Sequence, residues 1–434
     1  MKKFRHVLRQ QKDLLRNATY LIFKIMGLAP FAIQHPNKVT NSKDSRQDHR
    51  RVFSQFAPSY LGGLYNFCLI PVQMYLLYQA WGITNDSPFP YKSEITDKIE
   101  LSITILSNGA TSIIWLIYVV EQKTLAGLVN RFTQVGVTLA RVKGSNIDIY
   151  KDRFGCRNYV VLIVTNTILW IVLLSTEQLA FHAPLITWFY FIVPSIIIDW
   201  FIIQYIVAIN LIENRFKLLN NILVHLPMIP IAFPLRSFLN GEISSDDFQV
   251  PKLLHLRRAH TSLYEISSGV ANFYSFPIFI VIGFTFLCTI YNANYLLVLI
   301  ALGAENMTVV AIVNTAFWLV IQIWKLIMLV AGIHGVTKEM KKAAIVLPNL
   351  LAQPTTSRRE KIELKNFALE MLHKDVAFTA CRFYSLDGSL LKSMFGMVGT
   401  YLTILIQFSK NSSKAGSNST AYNFTHARQN RTGN

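Results

Sequence analysis

The sequence predicts an all-α, polytopic membrane protein with seven transmembrane helices, and its composition, apolar stretches and charge distribution all favour this class. Of its 434 residues, 52% are hydrophobic and 15% are charged, whereas roughly a quarter of the residues in an average soluble protein are charged. An α-helix needs about 20 apolar residues to cross the hydrocarbon core of a bilayer. Seven stretches meet this requirement: Phe56–Trp81, Ile99–Val120, Cys156–Glu177, Pro184–Ile212, Ala271–Ile300, Met307–Ile333 and Leu386–Phe408.

The distribution of Lys and Arg predicts the orientation of the chain in the membrane. Residues 1–54, 121–157, 213–270 and 335–385 hold 34 of these residues, whereas the alternate connections and the tail hold 6. Because cytoplasmic loops carry an excess of Lys and Arg, we expect the N-terminus and the large loops inside and the C-terminus outside. This is the reverse of a G-protein-coupled receptor. The net charge of +18 follows from this topology, so no nucleic-acid partner is expected.

The same observations divide the chain into five segments. The first is a basic cytoplasmic segment whose short apolar helix lies either at the membrane interface or packed against the cytoplasmic side of the bundle. Six transmembrane helices with cytoplasmic extensions follow, then amphipathic cytoplasmic helices broken near Pro348 and Pro354, then the seventh helix and an extracellular tail. These segments are residues 1–54, 55–334, 335–385, 386–408 and 409–434.

The tail carries four Asn-x-Ser/Thr sequons, which supports its extracellular placement independently of the charge distribution. They begin at Asn411, Asn418, Asn423 and Asn430. Asn423 and Asn430 lie farthest from the membrane and are the predicted glycosylation sites.

The seventh helix has a polar strip along one face. At 100° per residue, Gly396, Thr400, Thr403 and Gln407 fall within about 60° of one another, and Ile404 and Phe408 flank the strip. A surface in contact with lipid does not favour such residues. The strip therefore faces water or other protein, and a helix that simply packs through small and polar residues is the alternative.

The fourth stretch contains an acidic residue, Asp199, near the middle of the membrane. A carboxylate at that depth must face a cavity, find a partner or be protonated. Lys325 in the sixth stretch lies about 6 Å deeper by helix rise, so an ion pair is one outcome. A role in a ligand or ion pathway and a structural pair both remain open.

Polar and aromatic residues in the outer halves of the helices indicate a ligand pocket. Asn292 and Tyr295 lie on the fifth stretch, Asn314 and Trp318 on the sixth, and Gln178 follows the third. Asn donates and accepts hydrogen bonds while aromatic rings stack, which suits a hydroxylated or aromatic ligand, with Asp199 at the floor. For the tyrosines, an interfacial aromatic belt is the alternative.

The sequence gives no sign of enzyme chemistry, a metal or a cofactor. Its four cysteines are scattered and form no Cys-x-x-Cys motif. Walker, Gly-x-Ser-x-Gly and His-Glu-x-x-His motifs are absent from the sequence. No inverted internal repeat is visible, which weighs against a secondary transporter.

Three motifs resemble the insect gustatory receptor family, which is related to the insect odorant receptors. The seventh helix ends in Thr400-Tyr401, five residues of which only Thr403 is polar, and Gln407-Phe408. The segments Phe378-Thr379-Ala380-Cys381 and Leu386-Asp387-Gly388-Ser389-Leu390-Leu391 are similar to the family's entry into that helix, although the family usually has a larger residue at Gly388. Gly27-Leu28-Ala29-Pro30-Phe31 is similar to its N-terminal motif.

The resemblance implies a tastant-gated, non-selective cation channel in the plasma membrane, assembled as a homo- or hetero-tetramer. Four copies of the last helix would line the pore, with Phe408 at the gate position, Gln407 beside it, and Ile404 and Thr400 deeper. Cytoplasmic extensions would form an anchor domain where subunits join. A sugar or a bitter compound would bind in the outer half of the bundle. A metabotropic seven-helix receptor and a transporter that uses Asp199 are the alternative functions.

Overall fold

The structure is a computed structural model that describes residues 18–34, 55–83, 94–142, 153–181, 188–225, 246–301, 309–352, 358–404 and 406–407. Helices make up most of this part of the chain. In chain order they are α1 (18–25), α2 (Tyr60–Ile83), α3 (Glu94–Val120), α4 (Gln122–Val142), α5 (Arg153–Phe181), α6 (a π-helical turn Trp188–Ile192 continued by Val193–Val224), α7 (Asp246–Ala301), α8 (Val309–Leu351), α9 (Arg358–Leu372) and α10 (388–404).

Two antiparallel sheets of two strands each complete the described elements. Strand β1 (Phe31–Gln34) pairs with β2 (Gln55–Pro58), and β3 (Thr379–Ala380) pairs with β4 (Tyr384–Ser385). The sequence analysis predicted neither sheet.

The predicted fold class, an all-α polytopic membrane protein, is confirmed. Within the described residues, six helices are long and apolar enough to cross a membrane, and α10 lies in the seventh predicted stretch. The start of the first predicted stretch is wrong, because Phe56 belongs to β2 and the helix begins at Tyr60. There, ladder hydrogen bonds to β1 and an edge-to-face contact between the Phe56 and Phe31 rings outweigh helix formation.

Helix α6 is the centre of the bundle and packs along α8. Its side chains are enclosed on all sides over several turns, which is why its apolar residues show no helical periodicity. The most deeply buried are Ile198, Phe201, Ile202, Ile203, Ile209 and Phe216.

Helices α7 and α8 are longer than a bilayer requires. They contain 56 and 43 residues, or about 84 Å and about 65 Å at 1.5 Å per residue, against a hydrocarbon core of about 30 Å. Both therefore project beyond the membrane. Their projecting ends pack with α4, α9 and the end of α6, and we call this assembly the helical extension. Helix α8 contains Pro348 and ends three residues later, at Leu351, and Pro354 lies outside the described residues.

Aromatic packing and ion pairs hold the helical extension together. The His260 ring lies edge-on to Phe216 and Phe367, at centroid distances of 5.7 Å and 5.1 Å. Arg257 on α7 binds Glu370 and Glu363 on α9, with nitrogen–oxygen distances of 2.7 Å and 3.1 Å. The contacts join α9 to α7 although more than 100 residues separate them.

The N-terminal helix α1 packs against the bundle through Phe23, whose ring meets that of Trp200 on α6. Backbone carbonyls of the segment after α1 accept hydrogen bonds from side chains of three helices. Asn66 donates to Gly27 O, Trp115 to Met26 O and Gln204 to Leu28 O. Gly27 has φ of +75°, and a Cβ there would lie 2.7 Å from Asn66 Oδ1. Only glycine combines this left-handed backbone with so close an approach.

Candidate functional site

A cavity of about 50 Å³ lies among α3, α5, α6, α7 and α8. Its lining combines two carboxylates with amides, hydroxyls and aromatic rings. The lining residues are Glu100, Ile103, Glu177, Phe181, Phe191, Ser195, Cys288, Tyr291, Asn292, Tyr295, Asn314, Thr315 and Trp318.

Glu177 on α5 is the centre of the hydrogen-bond network on one wall of the cavity. Its Oε2 accepts hydrogen bonds from Asn314 Nδ2 at 2.6 Å and from Trp318 Nε1 at 3.3 Å. Asn314 Oδ1 in turn accepts from the Thr176 hydroxyl at 2.8 Å. Asn314 and Trp318 are four residues apart on α8, so one face of that helix presents both donors to the carboxylate.

Two tyrosines on α7 form the opposite part of the lining. The rings of Tyr291 and Tyr295 are parallel, with centroids 6.2 Å apart, as expected for residues one helical turn apart. The Tyr291 hydroxyl donates to Glu100 Oε2 at 3.3 Å. The Tyr295 hydroxyl is buried and has no hydrogen-bond partner within the described part of the chain.

A buried ion pair lies behind the cavity. Lys325 Nζ is 3.2 Å from Asp199 Oδ1, and Trp170 Nε1 donates to Asp199 Oδ2 at 2.7 Å. The Trp170 ring meets the Trp318 ring edge-to-face at a centroid distance of 5.8 Å. Two tryptophans thus connect the ion pair to the cavity lining.

Helix α10 touches the rest of its own chain along one narrow stripe. Leu390, Met394 and Val398 are buried at intervals of four residues, which place them on one face. The Tyr401 ring also packs edge-to-face against Phe286 of α7. The residues of the polar strip, Gly396, Thr400, Thr403 and Gln407, are all exposed.

A protein-family model described as 7tm chemosensory receptor matches residues 17–412 of this chain. The chain belongs to this family. The match extends over all the described helices, and the chain is a multi-pass membrane protein.

Three Drosophila melanogaster proteins are among the relatives that this chemosensory receptor resembles in sequence. Gustatory receptor 28b is 25% identical over 162 residues, which are 36% of this chain and 34% of that protein. Gustatory receptor 28a is 25% identical over 255 residues, 51% of this chain and 56% of that protein. Gustatory receptor 68a is 31% identical over 130 residues, 29% and 32% of the two chains. The aligned regions thus span between about a third and about half of the relatives' own lengths.

Solved structures of an insect olfactory receptor share the fold. The olfactory receptor OR5 from Machilis hrabei in complex with eugenol superimposes with a TM-score of 0.55 and 16% identity, covering 92% of this chain and 98% of that one. A second structure of that receptor gives a TM-score of 0.53 and 14% identity, covering 92% and 99% of the two chains.

The receptor structure brings four of the six predicted ligand residues to one place. Asn292, Tyr295, Asn314 and Trp318 all line the cavity. Asp199 is fully buried but paired with Lys325 behind the lining. Gln178 is exposed and is not among the lining residues, because it is one position, or about 100°, around α5 from the inward-facing Glu177.

Sequence reasoning missed the two carboxylates of the receptor cavity. Glu177 and Glu100 each stand at the end of a predicted stretch, where a charged residue commonly marks the membrane boundary. In the structure α5 continues to Phe181 and α3 begins at Glu94, so each carboxylate lies about one turn or more inside its helix. Both carboxylates could have been found from the sequence, because each lies on the face of its helix that carries the buried residues.

The remaining predicted site residues lie on α10 and in the tail. Thr400, Ile404 and Gln407 are exposed on the helix. Phe408, Asn423 and Asn430 lie outside the described residues.

Proposed function

We propose that the receptor is a tastant-gated, non-selective cation channel whose pore is lined by the last helix of each of four copies. The observation that carries this proposal is the arrangement of α10. Its buried stripe, Leu390, Met394 and Val398, and its polar strip, Gly396 to Gln407, have mean directions about 150° apart around the helix axis. The polar strip therefore points away from the subunit's own bundle.

A surface of two threonines and a glutamine is unfavourable in contact with lipid at membrane depth. It is favourable along a lumen shared by several copies, because water and passing ions solvate the hydroxyls and amides. The exposed apolar residues between the stripe and the strip, such as Phe395 and Ile404, are 50% and 40% exposed in the single chain. Neighbouring copies and lipid would cover them in an assembly.

Threonine hydroxyls and glutamine amide oxygens can replace part of the hydration shell of a cation. Thr400 and Thr403 already donate their hydroxyl hydrogens to the carbonyls of Gly396 and Gly399 within α10. Their oxygen lone pairs are thereby left free to face a cation, which supports cation conduction over anion conduction.

The cavity is the proposed tastant site. It is enclosed by five helices and lined by the buried Glu177 and by the Tyr295 hydroxyl, which has no partner among the described residues. It lies beside α7, which α10 touches through Phe286 and Tyr401. A ligand that moves the outer part of α7 would therefore act on the pore helix directly. The Asp199–Lys325 pair supports a structural role for Asp199 rather than that of an ion carrier.

The test is a recording of whole-cell current from cells that express this chain alone, without added G proteins, while sugars and bitter compounds are applied. We expect a ligand-dependent current whose reversal potential follows the equilibrium potential of the monovalent cations when the external salt is diluted. Tastant responses that appear only with a co-expressed G protein would favour a metabotropic receptor. Stoichiometric uptake of the ligand would favour a transporter.

A further inference from the structure

The lining of the cavity is acidic and aromatic and holds no basic side chain. Two carboxylates, Glu100 and Glu177, line it, whereas no Lys, Arg or His is found among its described lining residues. The buried ammonium of Lys325 is paired with Asp199 behind the lining. Glu177 is buried, and a carboxylate away from water needs a compensating positive charge or a set of donors.

The donors supplied by the protein satisfy only one oxygen of Glu177. Asn314 and Trp318 both donate to Oε2. No donor from the described part of the chain reaches Oε1, although Glu177 is only 4% exposed. An ionised carboxylate accepts about four hydrogen bonds, so Oε1 has room for donors from a ligand.

The Tyr295 hydroxyl is a second group in the cavity that has room for a hydrogen bond from a ligand. Tyr295 is 7% exposed, lines the cavity and has a hydroxyl without a partner among the described residues. Native proteins rarely leave a buried hydroxyl unsatisfied, so a ligand or water must meet it. Its oxygen can accept a hydrogen bond from a positively charged donor.

The aromatic rings around these groups favour a cation over a neutral ligand. Tyr291, Tyr295 and Trp318 all line the cavity, and the negative faces of such rings attract ammonium groups. The volume of about 50 Å³ compares with the roughly 10–15 Å³ that a cavity needs to hold one water molecule. It therefore has room for an ammonium group and the carbon attached to it.

We propose that the cavity selects organic amines by their protonated nitrogen. The ammonium donates to Glu177 Oε1 and to the Tyr295 hydroxyl oxygen, and the ring faces of Tyr291 and Trp318 surround the adjacent methylene group. This assignment rests on the proposed role of the cavity as the ligand site, and it identifies the ligand class as organic amines rather than sugars.

The first test measures binding to the purified full-length receptor in lipid nanodiscs by isothermal titration calorimetry. The probes are three amines, each with the alcohol of the same carbon skeleton: isoamylamine and isoamyl alcohol, phenethylamine and 2-phenylethanol, and tryptamine and tryptophol. We expect at least one amine to bind 10-fold or more tightly than its alcohol, because hydrogen bonds to charged groups are the stronger ones. If every alcohol binds as tightly as its amine, the assignment is wrong.

The second test uses the variant Glu177→Gln with Glu265→Gln as a matched control, since Glu265 is an exposed glutamate on α7 outside the cavity. We expect Glu177→Gln to weaken amine binding about 10- to 100-fold and to leave alcohol binding within about 2-fold, with Glu265→Gln like the wild type. Unchanged amine affinity in folded Glu177→Gln would overturn the assignment.

Should Glu177→Gln fail to fold, Tyr295→Phe decides the same question, because it removes only the hydroxyl without a partner. A loss of amine affinity of about 5-fold or more supports the assignment, and an unchanged affinity contradicts it. These binding measurements are separate from current. A receptor that binds amines without conducting would refute the channel proposal alone, whereas a receptor that conducts but binds both partners of each pair equally would refute the amine assignment alone.

Discussion

The ammonium of Lys325 on α8 lies 3.2 Å from Oδ1 of Asp199 on α6, and the two side chains are 1% and 0% exposed. Helices α6 and α8 pack along each other at the centre of the bundle, so the pair lies within their interface. An ion pair so deeply enclosed holds the two helices in register, because either charge alone would be buried without compensation.

Removing one member of this pair should therefore destabilise the receptor more than removing both. We expect Asp199→Asn and Lys325→Met each to cost about 3–5 kcal/mol, and the double variant to recover much of that loss. Surface expression and the midpoint of thermal unfolding in detergent measure the effect. Lys338→Met is the control, since Lys338 is exposed on the same helix. Single variants as stable as the control would show that the pair has no structural role.

The cavity wall gives a second prediction, for ligand potency. Asn314→Ala removes one hydrogen bond to Glu177 and one from the Thr176 hydroxyl, and Trp318→Ala removes both a donor and a ring. Each change costs about 1–3 kcal/mol, so we expect the half-maximal effective concentration of an active tastant to rise roughly 5- to 150-fold.

Gln178→Ala is the matched control for this prediction, because Gln178 is exposed on α5 next to Glu177. Dose–response curves at equal surface expression check the prediction. If the curves for Asn314→Ala and Trp318→Ala coincide with those of Gln178→Ala, the tastant binds elsewhere.

The proposed pore lining by α10 gives a third prediction. Replacing Gln407 by Glu should place four carboxylates around the axis of a tetramer and favour divalent over monovalent cations. Replacing Phe408 by Ala should remove an apolar constriction and raise the current without ligand. Reversal potentials in Ca²⁺ and Na⁺ solutions and the resting current are the measurements.

Phe395→Ala is the control for these variants, since Phe395 is exposed on a different flank of α10, more than 90° from Gln407. Resting current and selectivity equal to those of the control would indicate that α10 is a packing helix rather than the wall of the pore.

A fourth prediction concerns topology, which follows from the distribution of Lys and Arg. We expect the tail to be extracellular and glycosylated, so digestion with an N-glycosidase should increase gel mobility. The double variant Asn423→Gln with Asn430→Gln should lose most of that shift. The sequence Asn17-Ala18-Thr19 is also a sequon but lies in the N-terminal segment, which is predicted to be cytoplasmic, so Asn17→Gln should behave like the wild type. An N-terminal tag that antibodies reach on intact cells would contradict the orientation.

The helical extension gives a fifth prediction, for pH. Burial alone would raise the pKa of Glu370, but hydrogen bonds from Lys374, Thr261 and Arg257 outweigh it and lower the pKa to about 2. A carboxylate whose pKa is lower in the folded state stabilises that state above its unfolded pKa of about 4.3, and this contribution disappears as the pH falls toward the folded pKa.

Glu370→Gln should therefore lower the free energy of unfolding by about 1–3 kcal/mol at pH 7, and less as the pH falls below about 4. Thermal unfolding midpoints of the wild type and the variant at pH 7 and pH 3 measure the difference, with the exposed Glu265→Gln as control. A difference between wild type and variant that persists unchanged at pH 3 would mean that Glu370 acts through shape rather than charge.

The transmembrane helices could be predicted because the bilayer sets a minimum length that any sequence must meet. Asn314 and Trp318 were found for a similar reason, since a spacing of four residues places both on one helical face.

The pairing of β1 with β2 could not be predicted, because residues 35–54 separate two strands whose register depends on packing between Phe31 and Phe56. Glu177 is buried and the adjacent Gln178 is exposed. This difference depends on the rotation of α5 within the bundle, which could not be predicted from the sequence.

Helix α7 carries Tyr295 of the cavity near one end and Arg257 of the helical extension near the other. The 38 positions between them correspond to about 57 Å along the axis, with Pro277 near the middle and Phe286 in contact with Tyr401 of α10. A continuous helix of this length transmits a displacement at one end to the other. A tilt of about 5° about Pro277 would move its two ends by about 5 Å relative to each other, so a displacement of one or two ångströms beside the cavity would also displace the helical extension.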